Sequence, residues 1–119
     1  MTLEKVIEIL GAEMALTTAD MSIEISSVCS SDLMSDLLHF STTPKSLLVT
    51  GLINKQVVRT AEIADIKAIA FVLGKRPDEE IIEMARQKGI VLMVTRLSRY
   101  TACGKLYAGG LRSCTGEDR

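Results

Sequence analysis

The sequence predicts an α/β fold, a three-layer domain with a mostly parallel central sheet flanked by helices. Three observations carry this. Residues 47–49, 68–73 and 90–94 are short apolar runs with β-branched content and no clean alternation, which suits strands buried on both faces. Two segments of helical period separate them. The resulting β-α-β-α-β order winds into one parallel sheet through crossover connections.

The elements follow in order. Thr2 is placed to cap a first helix, whose face is Leu3, Val6, Ile7 and Leu10 and whose stop is Gly11. Lys5 stands where a capping box would need an acid or amide. Residues 12–16 read as a short strand and 17–22 as a polar turn. Residues 25–29 continue an alternating stretch and read as a strand near an edge. Ser30-Ser31-Asp32 is a run of capping residues before a helical face of Leu33, Met34, Leu37 and Leu38. Residues 41–44 lead into the first buried strand. Asn54 caps the next helix, which buries Val57, Val58, Ala61 and Ala64 and turns Lys55, Arg59 and Glu62 outward. Gly74-Lys75-Arg76-Pro77 is a turn, with Pro77 suited to the first helical position. Ile81, Ile82, Met84 and Ala85 form the following stripe, ended by Gly89. Ser98 caps a last helix with the face Tyr100, Cys103, Leu106 and Tyr107. Gly104 within it costs about 1 kcal/mol relative to Ala and implies close packing there. Residues 1–111 read as one domain and 112–119 as a flexible polar tail.

With 119 residues, the chain can bury a real core. A net charge of −1 gives no electrostatic case for nucleic acid or anionic membrane. Two Phe, two Tyr and no Trp make a base-stacking platform a poor fit. No apolar run has the length of a membrane span. The acidic residues inside the N-terminal apolar stretch exclude a signal peptide. Three Cys, at 29, 103 and 114, have no metal-type spacing. An odd count without an export signal reads as reduced thiols in the cytoplasm.

In open parallel sheets, ligands sit beyond the carboxyl ends of the strands. Those ends carry Ser31 and Asp32, then Thr50, Gly51 and Asn54, then Gly74 and Lys75, then Thr95 and Ser98. These nine residues are the candidate ligand-binding set, and helix N-termini at the same rim favour an anion. The same residue types also serve as caps and turns, so the two readings stand side by side. Gly74-Lys75 does not complete a phosphate loop, because residue 69 is Ile and residue 76 is Arg. His39, the sole histidine, has no nearby nucleophile. Cys29 and Cys103 read as small buried hydrophobes. No catalytic residue, metal ligand or cofactor is specified.

Val58-Arg59-Thr60-Ala61-Glu62, the stretch from Ala68 to Pro77, and Tyr100-Thr101-Ala102-Cys103-Gly104-Lys105-Leu106-Tyr107 resemble the DRTGG domain family, as does Ser31-Asp32-Leu33-Met34-Ser35-Asp36. The resemblance covers roughly residues 3–111. The namesake residues differ: Asn54 or Lys55 stands near the expected acid, and Leu73-Gly74-Lys75 replaces Thr-Gly-Gly. DRTGG domains are regulatory modules found beside CBS domains, in some phosphate acetyltransferases and in some transcription regulators. They are similar to the N-terminal domain of HPr kinase/phosphorylase, whose phosphate loop lies in its other domain. Copies of this length resemble ones found near iron-only hydrogenase genes. The resemblance implies an α/β fold, self-association and no established activity.

The expectation is a cytoplasmic, non-catalytic regulatory or protein-interaction module. One alternative is a sensor of a nucleotide or other small anion. Another is a redox or iron–sulfur accessory protein using Cys29 or Cys103. The apolar surplus of residues 1–40, Leu37 and Leu38 included, points to a homodimer or larger homo-oligomer through that half.

Overall fold

The computed structural model describes residues 1–18, 21–40 and 42–117. The expected turn at 17–22, the loop at 41–44 and the end of the tail lie partly outside these. The elements are α1 (Leu3–Leu10), β1 (Glu13–Leu16), β2 (Ser27–Ser30), α2 (Met34–Leu37), β3 (Ser46–Thr50), α3 (Lys55–Ile63), β4 (Ala68–Phe71), α4 (Glu79–Lys88), β5 (Val91–Val94), α5 (Arg99–Ala108) and β6 (Arg112–Ser113). One sheet has the order β1-β5-β4-β3-β2-β6. Only the β1–β5 pairing is antiparallel.

Every residue of β3, β4 and β5 is buried, which is why these strands show no polar alternation. Leu48, Ile69 and Leu92 pack with α2, α3 and α4 on one face. Leu47, Val49, Ala68, Ala70, Val91 and Met93 pack with α1 and α5 on the other. From β2 to β5 each crossover moves one strand along the sheet. After β5 the chain changes face, and α5 runs back over β3 and β2 to deliver β6 outside β2. The turns after β4 and β5 therefore diverge to opposite faces, as at a topological switch point. Among the described residues, no helix is long and apolar enough to cross a membrane.

Local chemistry places the helix ends. Thr2, Asn54 and Ser98 accept hydrogen bonds from Lys5, Val57 and Thr101 amides, capping α1, α3 and α5. Gly11 and Gly89 end α1 and α4 with φ of 56° and 68°, where a Cβ would be strained.

Several expectations are corrected. Pro77 is not helical; Asp78 caps α4 by accepting from the Ile81 amide, so Pro77 stands before the cap. Leu73 leaves the strand at φ 59° and is exposed. α2 is a single turn that buries Met34 and Leu37, while Leu33 and Leu38 face solvent. α5 buries Ala102 and Leu106 instead of its tyrosines. Gly104 has open space where a Cβ would stand, so nothing in the chain packs on it.

The tail expected from residue 112 instead adds β6, pairing Ser27 with Arg112 and Val28 with Ser113. That register brings Cys114 beside Cys29, and the two form a disulfide between buried residues. Cys29 and Cys114 are therefore paired, where the sequence led to the expectation of reduced thiols. Cys103 is the free cysteine and is half-buried.

Candidate functional site

The carboxyl ends of β2 and β3 lie side by side, with Ser30 in register with Val49. Asp32, two residues past β2, thus reaches the turn that follows β3. Its Oδ1 accepts from the Gly51 amide at 2.8 Å and from the Thr50 hydroxyl at 3.0 Å. Arg99, the first residue of α5, brings Nη1 to 2.9 Å from the same oxygen. Lys75, from the β4–α4 turn, donates Nζ to the Gly51 carbonyl at 3.0 Å. A Cβ on Gly51 would stand 3.5 Å from Asp32 Oδ2 and 3.7 Å from Lys75 Nζ. The open face of Gly51 therefore looks into the gap between that acid and that base.

Burial pushes the Asp32 carboxyl up. The Gly51 amide, the Thr50 hydroxyl and the Arg99 charge outweigh it and hold the group below the usual carboxylate range. Asp32 is thus an ionised acceptor at neutral pH, gathering donors from two separate segments, the turn after β3 and the start of α5. An internal carboxylate stands where the rim presents a ready-made set of anion donors.

Of the nine candidates, the structure brings together Asp32, Thr50, Gly51 and Lys75. The Ser31 hydroxyl is engaged locally with the backbone of Leu33. Asn54 and Ser98 serve as caps. Thr95 turns away, donating its hydroxyl to the Leu10 carbonyl at 2.7 Å. Gly74 takes φ 66° and donates its amide to the Thr95 carbonyl, tying the two diverging turns together. Arg99 was not among the candidates. Its signal is a cation in the first turn of a helix, where the dipole disfavours it unless an acid is near.

Of the cavities away from this cluster, two bear on function. One, of about 430 Å³, sits between the α1–β1 turn and the turns after β4 and β5. Arg76, Arg96 and Lys105 line it with Glu8 and Glu13, and Arg76 pairs with Glu13. The other, of about 350 Å³, lies at the α5–β6 edge among Val28, Phe40, Cys103, Tyr107, Leu111 and Cys114. Among the described residues, no group of three or more His, Cys, Asp or Glu could hold a metal ion.

No family model and no curated protein matches the chain. Among solved structures, it is similar to the CBS and DRTGG domains of the regulatory region of Clostridium perfringens pyrophosphatase, solved with the activator diadenosine tetraphosphate. The TM-score is 0.75 at 18% identity, over 88% of this chain and 45% of that one. The chain thus spans less than half of the structure it matches. At that identity the likeness speaks to fold, and it supports a DRTGG-like fold.

Proposed function

We propose that this chain is a non-catalytic regulatory module of DRTGG type that works by association, first of all with a second copy of itself. The observation that supports this is the outer face of α5. Tyr100, Cys103, Gly104, Tyr107 and Ala108 recur at the spacing of one helical stripe. Tyr100 is 89% exposed and Tyr107 56%. Small residues between two tyrosines let a facing helix approach closely. A two-fold axis near Gly104 would lay each Tyr100 over the partner's Ala108. Tyrosines bury about 150–250 Å² each, so two copies would cover roughly 600 Å² through these rings alone. The flanking residues bring the total toward the ~1,000 Å² of a specific interface. The fold likeness to a regulatory region agrees with this reading. Leu37, expected at an interface, is fully buried within the chain while Leu38 is exposed, so our reading favours α5 over residues 1–40 as the associating face.

Sedimentation equilibrium at micromolar concentration tests it. A mass well above the 13.0 kDa of one chain is expected, falling to that value in the Tyr100→Glu/Tyr107→Glu variant. A single-chain mass for the unmutated protein would reject it.

The Asp32 cluster favours a second reading, a sensor of a phosphorylated ligand. A phosphate could take the Gly51 amide and Arg99 from Asp32, with Lys75 adjacent. Thermal-shift measurements with nucleotides, diadenosine tetraphosphate included, test this on the wild type and on Asp32→Asn. Stabilisation that changes with the substitution is expected. No stabilisation of either protein would leave the association reading alone.

A further inference from the structure

We propose that the Cys29–Cys114 pair is a thiol–disulfide exchange site. A dithiol reduces it without unfolding of the domain, and the bond latches residues 112–117 onto the sheet edge. The two sulfurs sit on elements of very different standing. Cys29 belongs to β2, which pairs with β3 over four residues and packs into the core. Cys114 follows a two-residue strand at the edge of the sheet, in register with Ser27 and Val28. Among its non-covalent ties, the Cys114 amide donates to the Val28 carbonyl at 3.0 Å, Arg112 stands over the Tyr107 ring at 5.5 Å, and Cys114 itself belongs to the core cluster that holds Cys29.

Short edge segments with few buried contacts open at low free-energy cost, well below global unfolding. Opening here has a natural limit. Leu111 is buried, and its amide donates to the Leu106 carbonyl. The chain therefore hinges after residue 111, and α5 stays in place. Cys114 is 1% exposed when the segment is closed, so opening must precede attack. The ~350 Å³ cavity beside Cys114 gives an incoming thiol room once it has opened.

The chemistry is ordinary exchange. A thiolate of the dithiol attacks Cys114 Sγ. The Sγ–Sγ bond breaks, and Cys29 leaves as a thiolate that takes a proton from water. The second thiol of the reagent then closes on the first and expels Cys114. The dithiol ends as a disulfide, two electrons pass to the protein, and Cys29 and Cys114 end as thiols. Without the bond, the covalent tie between residues 112–117 and β2 is gone, and non-covalent contacts such as the two-residue pairing, the Cys114 amide bond to Val28 and the Tyr107 contact must hold the segment.

The experiment uses the full chain and dithiothreitol under native conditions. Alkylation in denaturant followed by mass measurement should count one free thiol before reduction and three after it. Reduction should run at least tenfold faster than global unfolding measured by hydrogen exchange. In the reduced protein, amides of 112–117 should lose protection altogether, while those of β3, β4 and β5 stay protected and exchange faster only by the factor that the lost global stability sets. A Cys114→Ser variant should show the same exchange pattern without reductant; if it does not fold, the wild-type kinetics still decide. Three reactive thiols without reductant, reduction no faster than global unfolding, or loss of protection throughout the sheet would each overturn the proposal.

Discussion

Replacing Asp32 with Asn tests whether the rim carboxylate acts as a charged tie between segments. Asn keeps the shape and can still accept from Gly51 and Thr50. What it loses is the charge on an oxygen that accepts at 2.8 and 3.0 Å and faces Arg99 at 2.9 Å. Hydrogen bonds to charged groups contribute about 1.5–3 kcal/mol against about 0.5–1.5 for neutral ones. An exposed ion pair adds about 0–1 kcal/mol. The side chains of Asp32 and Arg99 are 50% and 45% exposed, so solvent screening pulls the total toward the low end, about 1–2 kcal/mol. The pH dependence has a definite sign. Burial raises the Asp32 pKa, but the Gly51, Thr50 and Arg99 interactions leave it lowered in the folded chain. A depressed carboxylate contributes its full stability above its unfolded value, about 3.9. It loses that contribution as pH falls through the folded value. Denaturant unfolding should therefore show a constant gap between wild type and Asp32→Asn from pH 8 to about 5, closing below about pH 4. A gap within about 0.3 kcal/mol of zero at pH 7, or one that persists unchanged in strong acid, would refute the reasoning.

Three further outcomes follow from the same structure. The disulfide closes a loop with a sequence separation of 85, so chain entropy sets about 4–5 kcal/mol as the stability lost on reduction; equal denaturation midpoints for oxidised and reduced protein would contradict this. Leu37→Asp should unfold the chain by placing a charge in a fully buried position, whereas Leu38→Asp, at a site 52% exposed, should cost no more than about 0.5 kcal/mol. Circular dichroism with denaturant titration separates the two, and the reverse order would move α2 to an interface. Incubation with labelled ATP and candidate protein substrates should give no transfer, and reproducible transfer abolished by Lys75→Ala would overturn the non-catalytic reading.

The central strands were legible because burial on both faces leaves a direct mark. Residues 47–49, 68–73 and 90–94 carry no polar alternation, since helices cover each side. The caps at Thr2, Asn54 and Ser98 were legible because they act within a few residues of their partners. α5 misled for a physical reason. It is apolar on two faces, Ala102 with Leu106 and Tyr100 with Tyr107, and periodicity cannot say which meets the sheet. The large tyrosines looked like core, while the sheet takes the small Ala102 so that the helix lies close. β6 had no local signal at all. Arg112 and Ser113 are polar, and they pair with the edge of β2 next to the Cys29–Cys114 disulfide.

The candidate site divides along the same line. Ser31, Asn54 and Ser98 are satisfied by backbone two or three residues away, which is what their types do wherever a turn or helix begins. Asp32 differs because its partners are tertiary. Given neighbouring parallel strands, an acid just past one strand reaches the amides just past the next, so Asp32 with Thr50 and Gly51 follows from sheet order. Arg99 requires one more step. α5 must cross back over β2 and β3 before its first turn stands above Asp32. That crossing is set by where β6 lies, the element with the weakest sequence signal. An Arg in the first turn opposes the helix dipole, and Asp32 supplies the compensating charge. Losing that carboxylate should therefore loosen the start of α5 as well as the turn at Gly51. The rim and the exposed face of α5 share that helix, so a ligand that draws Arg99 away from Asp32 would act on the surface that carries Tyr100.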